Sequence, residues 1–162
     1  MKILNRLIAF CAVVALCLTA ASSASAQQDN PVRWSISVKM TSAKAGVVTI
    51  KAAIDKGWHL YGIDMSDEGP LPTEISLDKS TGVKFTGKLT PSRKPISNYD
   101  EMFGAQLSWW DADVTFTRKF VVTDPKTARI EGSASFMACN DVNCRPPQTI
   151  ELKAAIPAKK KK

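Results

Sequence analysis

The stretch "VRWSISVKM", residues 32–40, alternates from end to end. Val32, Trp34, Ile36, Val38 and Met40 project one way, and Arg33, Ser35, Ser37 and Lys39 the other. This period of two marks a strand with one buried face. The alternation returns in "VVTIKAAI" (47–54), with Val48, Ile50, Ala52 and Ile54 inward, and in "VTFTRKFVV" (114–122), where only Arg118 interrupts Val114, Phe116, Phe120 and Val122. "ARIEGSASFMA" (128–138) sets Ile130, Ala134, Phe136 and Ala138 against Arg129, Glu131, Ser133 and Ser135, and "TIELKAAI" (149–156) repeats the pattern with Ile150, Leu152 and Ala154. Weaker strands are predicted at 59–63, 73–77 and 83–89. Turn signals separate the runs: Ala45-Gly46, Asp55-Lys56-Gly57, Gly69-Pro70, Ser80-Thr81-Gly82 and Asp124-Pro125. Seven to nine short strands, with no sustained helical stripe, predict an all-β protein: an immunoglobulin-like antiparallel β-sandwich.

Residues 1–26 read as a secretory signal peptide. Lys2 and Arg6 open it, an uncharged apolar run follows from Leu7 to Ala20, and Ala24-Ser25-Ala26 supplies the small-x-small pattern of a cleavage site. Removing these 26 of 162 residues leaves a mature chain of 136, enough for one domain with a real core. The expected organisation is a signal peptide over 1–26, a sandwich domain over 27–157 and a lysine-rich tail over 158–162. The expected product is exported, cleaved and periplasmic, without a membrane span.

The formal charge of +7 is unevenly placed. Lys2 and Arg6 leave with the signal, and Lys159 to Lys162 carry four of the remaining charges, so the body is close to neutral. With no basic helix and no aromatic stacking motif, a nucleic-acid partner is not expected.

The mature chain keeps two cysteines, Cys139 and Cys144, within "ACNDVNCRPP" (138–147). Antibody-type sandwiches bridge their sheets with distant cysteines; this pair is local and cannot clamp two layers. Three uses remain open. A staple closing so short a loop adds only about 2 kcal/mol on the loop-entropy model. A structural zinc site needs four ligands, and the mature chain offers these two cysteines and the single His59, so no metal and no other cofactor is expected. A redox couple should be local, accessible and close to a mobile cover. Asn140, Asp141 and Asn143 are turn-prone, and Pro146-Pro147 delays the next strand, which leaves Cys144 accessible. Arg145 favours a thiolate here and Asp141 opposes one.

"FMACNDVNCRPPQTIEL" (136–152) resembles the active-site segment of the N-terminal periplasmic domain of the DsbD thiol:disulfide interchange family, in which two nearby cysteines precede Pro-Pro and a polar–apolar strand. "KGWHLYGIDM" (56–65) is similar to the early strand whose tyrosines flank those cysteines, and "YDEMFG" (99–104) to the cap that covers them. The resemblance implies the same sandwich and a thiol–disulfide oxidoreductase-like electron carrier. It gives Cys144 the attacking role and Cys139 the resolving one, sets His59 and Tyr61 beside them, and makes Asp100, Glu101, Met102 and Phe103 the cap. It implies thioredoxin-like periplasmic partners, of the disulfide isomerase or cytochrome c maturation type. The family's longer protein continues into membrane and thioredoxin-like domains, so a membrane-bound electron donor is expected to act in trans. The competing reading is an exported binding or assembly module whose loop disulfide is purely structural. The alternative for Trp109, Trp110, Met102 and Phe103 is core or strand-edge packing.

Overall fold

A computed structural model describes residues 30–65, 69–101 and 103–157. The expected signal peptide, the lysine tail and Met102 of the expected cap lie outside the described residues. Two units divide the chain at Asn30, and the architecture that follows belongs to the one beginning at Pro31.

The alternating segments become strands where the pattern places them: β1 (Val32–Met40), β2 (Ala45–Ile54), β8 (Val114–Val122), β9 (Arg129–Phe136) and β11 (Gln148–Ala155). The weaker segments give β3 (His59–Tyr61), β4 (Glu74–Ser76) and β5 (Val83–Pro91). Two further strands were not anticipated, β6 (Ile96–Asp100) and β7 (Ala105–Trp110), and the strand expected over 128–138 is broken at Met137 into β9 and the two-residue β10 (Ala138–Cys139). The expected count of seven to nine therefore becomes eleven among the described residues, with no helix among them. Strand β6 escaped because it is exposed along nearly its whole length, so neither face of "ISNYD" carries an apolar stripe. Of the segment expected to be a cap, Tyr99 and Asp100 end β6, and Glu101, Phe103 and Gly104 lie in the turn leading to β7.

All pairings are antiparallel and form three ladders, β1-β2-β8-β5, β11-β9-β4 and β10-β3-β7-β6. The first ladder is one layer of an immunoglobulin-like sandwich. The other two make the opposite layer, joined through Met137, which separates β9 from β10. Register explains the core. Trp34 lies opposite Ala52 and Ile36 opposite Ile50, which in turn faces Phe116, so one parity of β1, β2 and β8 is inward throughout. These residues meet Ile130, Ala134, Phe136 and Leu152 of the second ladder and Leu60, Trp110 and Ala138 of the third in one buried cluster. Trp34 is central to it, with ring centroids 6.2 Å from Phe116 and 5.3 Å from Phe136, while Trp110 meets Phe116 edge-on at 5.3 Å. Burying each such side chain contributes roughly 1.5–3 kcal/mol.

Arg118 occupies an inward parity of β8, between Phe116 and Phe120, and the fold makes room for it. Strand β5 shifts register between Thr86 and Thr90, and Gly87 takes a positive φ of 71° that other residues rarely adopt. The Arg118 Nε–H donates to the Gly87 carbonyl at 3.1 Å, and the guanidinium lies 5.1 Å from the Phe85 ring centroid. A charge on the core side of a strand is thus turned outward through the bulge.

Candidate functional site

Alternation continues through the end of β9 and decides where the cysteines sit. Phe136 and Ala138 point into the core, so Met137 and Cys139 belong to the opposite, outer face. Strand β10 pairs Ala138 with Leu60 and Cys139 with His59. Strand β3 pairs Leu60 with Trp110 and Tyr61 with Trp109. Cys139, His59, Tyr61, Trp109, Leu107 and Ala105 therefore share the outer parity of one sheet, while Ala138, Leu60 and Trp110 face the core.

The chain then reverses in a turn closed by backbone and side-chain hydrogen bonds. The Asn140 N–H donates to the Asn143 carbonyl at 2.9 Å, and the Arg145 N–H to the Ala138 carbonyl at 2.8 Å. Asn140 Oδ1 accepts from the N–H groups of both Val142 (2.9 Å) and Asn143 (2.7 Å), a local turn that asparagine forms readily. Cys139 and Cys144 end as bridge partners with Cα atoms 4.0 Å apart and their sulfurs bonded as a disulfide. Pro146 and Pro147 are exposed, and pairing resumes at Gln148. The Arg145 guanidinium lies 5.7 Å from the Trp58 ring centroid, which holds it beside the loop.

The two sulfurs belong to different environments. Cys144 is exposed, and Val142 within the same loop is 84% exposed. Cys139 is 2% exposed and packs with Tyr61, Ala105 and Leu107 in a small cluster of its own, bordered by Met65, Trp109 and Met137. The β6–β7 hairpin supplies Ala105, Leu107 and Trp109 to this cover. The expectation of a pair near the surface holds for Cys144, whereas Cys139 is buried in that cluster.

Residues His59, Tyr61, Asp100, Leu107, Trp109 and Asp141 line a shallow cavity of about 260 Å³ on this face. The His59 ring meets Tyr61 edge-on at 5.1 Å and Trp109 at 6.0 Å. Burial holds the His59 pKa below its ordinary 6.5, against the pull of Asp141 and Asp111. Burial raises the Tyr61 pKa, and the nearby Asp100 adds to the effect. Tyr61 is fixed from behind: its carbonyl accepts from the buried Thr73 hydroxyl at 2.6 Å. Next to it, the Gly62 N–H donates to the Ser108 carbonyl at 2.7 Å, so close that a side chain at Gly62 would collide with Ser108.

The structure brings four expected residues, Cys139, His59, Tyr61 and Asp100, to one face, with Cys144 at its rim. Asp100 Oδ1 accepts from the Phe103 N–H at 3.1 Å and so shapes the hairpin turn as well as lining the cavity. Glu101 is exposed in that turn, and Phe103 is 45% exposed at its tip. Leu107 and Ala105 were missed, and Trp109 and Asp141 take places not assigned to them. Three of the four had a signal: "AQLSWW" (105–110) alternates Ala105, Leu107 and Trp109 against Gln106 and Ser108. Among the described residues, no three His, Cys, Asp or Glu side chains converge as a metal site.

Fold and site together define an immunoglobulin-like sandwich with a local cysteine pair on the outer face of one sheet. The sequence model of the family described as "Thiol:disulfide interchange protein DsbD, N-terminal" matches residues 26–155, and the chain belongs to that family. Among solved structures, the N-terminal periplasmic domain of ScsB from Proteus mirabilis is similar at 15% identity and a TM-score of 0.47, over 75% of this chain and 44% of that one. The chain thus spans less than half of that ScsB domain. The Neisseria meningitidis DsbD N-terminal domain in its reduced form is similar at 17% identity and a TM-score of 0.45, over 75% of this chain and 82% of that one. A complex between the DsbD and PilB N-terminal domains of Neisseria meningitidis matches at 12% identity and a TM-score of 0.46, over 74% and 80%. A search of curated protein sequences finds no match.

Proposed function

We propose that this protein is a periplasmic thiol–disulfide exchange module, exported with cleavage after Ala26, which passes reducing equivalents through Cys139 and Cys144. The observation that carries the reading is the inequality of the sulfurs: Cys144 exposed, Cys139 2% exposed among Tyr61, Ala105 and Leu107. A thiolate from a partner reaches only Cys144. Its attack forms a partner–Cys144 disulfide and breaks the Cys139–Cys144 bond, whose electron pair stays on the Cys139 sulfur. A second partner thiol, or Cys139 attacking in return, resolves the mixed disulfide. The partners are thioredoxin-like periplasmic proteins of the disulfide isomerase or cytochrome c maturation type, with a membrane-bound donor acting in trans. Asp100, Glu101, Met102 and Phe103 serve as the cap that partners displace.

The test is trapping. A Cys139→Ala variant has no resolving thiol and should accumulate mixed disulfides with thioredoxin-like proteins in oxidised periplasmic extract. A folded variant that captures none, together with a reduction potential below about −300 mV for the wild-type couple, would mark the bond as structural.

A further inference from the structure

His59 is the single histidine of the chain, and the β3–β10 ladder sets it directly across from Cys139. Residues opposite one another on antiparallel strands share a face, with Cβ atoms about 4.5–5.5 Å apart. The imidazole is therefore placed beside the buried sulfur. Other charged or titratable groups surround it: Tyr61 on its own strand, Asp111 just beyond β7, Asp141 from the cysteine loop and Asp100 from β6 across the shared cavity. Arg145, from beyond the loop, is engaged with Trp58, the residue before His59.

Opening the disulfide through Cys144 leaves a negative charge on Cys139 Sγ, among Tyr61, Ala105 and Leu107. A thiolate in such surroundings is strongly disfavoured unless a proton or a cation meets it. Among the described residues lining the adjoining cavity there is no lysine or arginine, and Asp100 and Asp141 there oppose a second negative charge. The imidazole is the basic group placed to respond.

We propose that His59 carries the proton of the Cys139 sulfur, an assignment that rests on the exchange reading above. When the disulfide opens, His59 takes a proton from solvent and gives it to the departing Cys139 thiolate, which leaves a neutral imidazole and a Cys139 thiol. When it closes, neutral His59 removes the Cys139 thiol proton. The freed electron pair attacks the Cys144 sulfur of the mixed disulfide, and the partner leaves as a thiolate. The lowered pKa of His59 in the oxidised protein fits this cycle, because the imidazole rests unprotonated at neutral pH and can accept.

The experiment follows oxidation of the reduced mature protein by glutathione disulfide between about pH 5 and 8. The Cys139→Ala variant reports attack by Cys144 alone, so closure is obtained by comparison. Wild-type closure should follow the imidazole titration and level off above it. In His59→Gln, closure should be slower by roughly tenfold or more at neutral pH and should climb toward the ordinary thiol pKa of about 8.5. Equal rates and pH profiles in the two proteins would overturn the assignment, with exchange itself intact. No exchange in the wild type would instead remove the reading on which it rests. A measurement on unmutated protein guards against a misfolded variant. The imidazole NMR shift should show a second step, coincident with Cys139 ionisation, in the reduced protein and not in the oxidised one. Its absence overturns the proposal.

Discussion

Two hydrophobic clusters lie on opposite sides of one sheet, and they are built differently. The inner one gathers Trp34, Ile50, Phe116, Phe136 and Trp110 from all three ladders, and paired strands enclose it. The outer one consists of Tyr61, Ala105, Leu107 and Cys139, two of them from a hairpin whose outer strand β6 is an exposed sheet edge. Elements with few buried contacts and much exposed backbone open at small free-energy cost. The inner cluster thus supplies stability, while the outer one, on the proposed exchange reading, needs only to keep a sulfur covered until a partner arrives.

If that division is right, damage to each cluster should have a different signature. Phe116→Ala carries the largest expected effect, a loss of about 3–5 kcal/mol in urea unfolding, with alkylation of reduced Cys139 unchanged under native conditions. A faster native-state reaction at Cys139 would show that the clusters are coupled. Leu107→Ala should cost less, about 2–3 kcal/mol, and should speed that alkylation by opening the cover. An unchanged alkylation rate would break the comparison. Asn140→Ala removes the acceptor for two turn N–H groups and should lower stability by about 1 kcal/mol, while shifting the couple toward the dithiol in glutathione buffers.

The smallest effect is on pH dependence. His59 has a folded pKa below 6.5, so the unfolded chain binds more protons between that folded value and 6.5. Its contribution to stability is complete above 6.5 and is lost as pH falls through the folded value. His59→Gln should flatten the melting temperature across that window. Asp113 acts in a separate range: the Lys51 ammonium and the Ile54 N–H hold its pKa below 3.8, so its contribution is present above 3.8 and disappears only in stronger acid.

The two clusters also differ in how far the sequence displays them. Half-buried strands carry their burial in their alternation, so β1, β2, β8, β9 and β11 and the inner cluster were legible from residue order alone. The cysteine loop and the neighbouring His59, Tyr61 and Asp100 were legible through family resemblance. What stayed hidden was relational. Nothing local in "SASFMAC" says that the face opposite Phe136 and Ala138 will be covered, because the cover comes from β7, some thirty residues away. The pairing of Tyr61 with Trp109 that creates the outer face depends on strand order. The exposed β6 has no stripe by which to announce itself.

The Asn140 turn has a kinetic consequence. None of the hydrogen bonds that close it involves sulfur: the Asn140 side chain holds the N–H groups of Val142 and Asn143, and Arg145 holds Ala138. The turn thus does not need the disulfide for its closure, and the two thiols should remain neighbours after reduction. Reclosure is then an intramolecular reaction with a high effective molarity, against which free thiols compete poorly. On the proposed exchange reading, a mixed disulfide on Cys144 is therefore short-lived, and partners are discharged quickly rather than held.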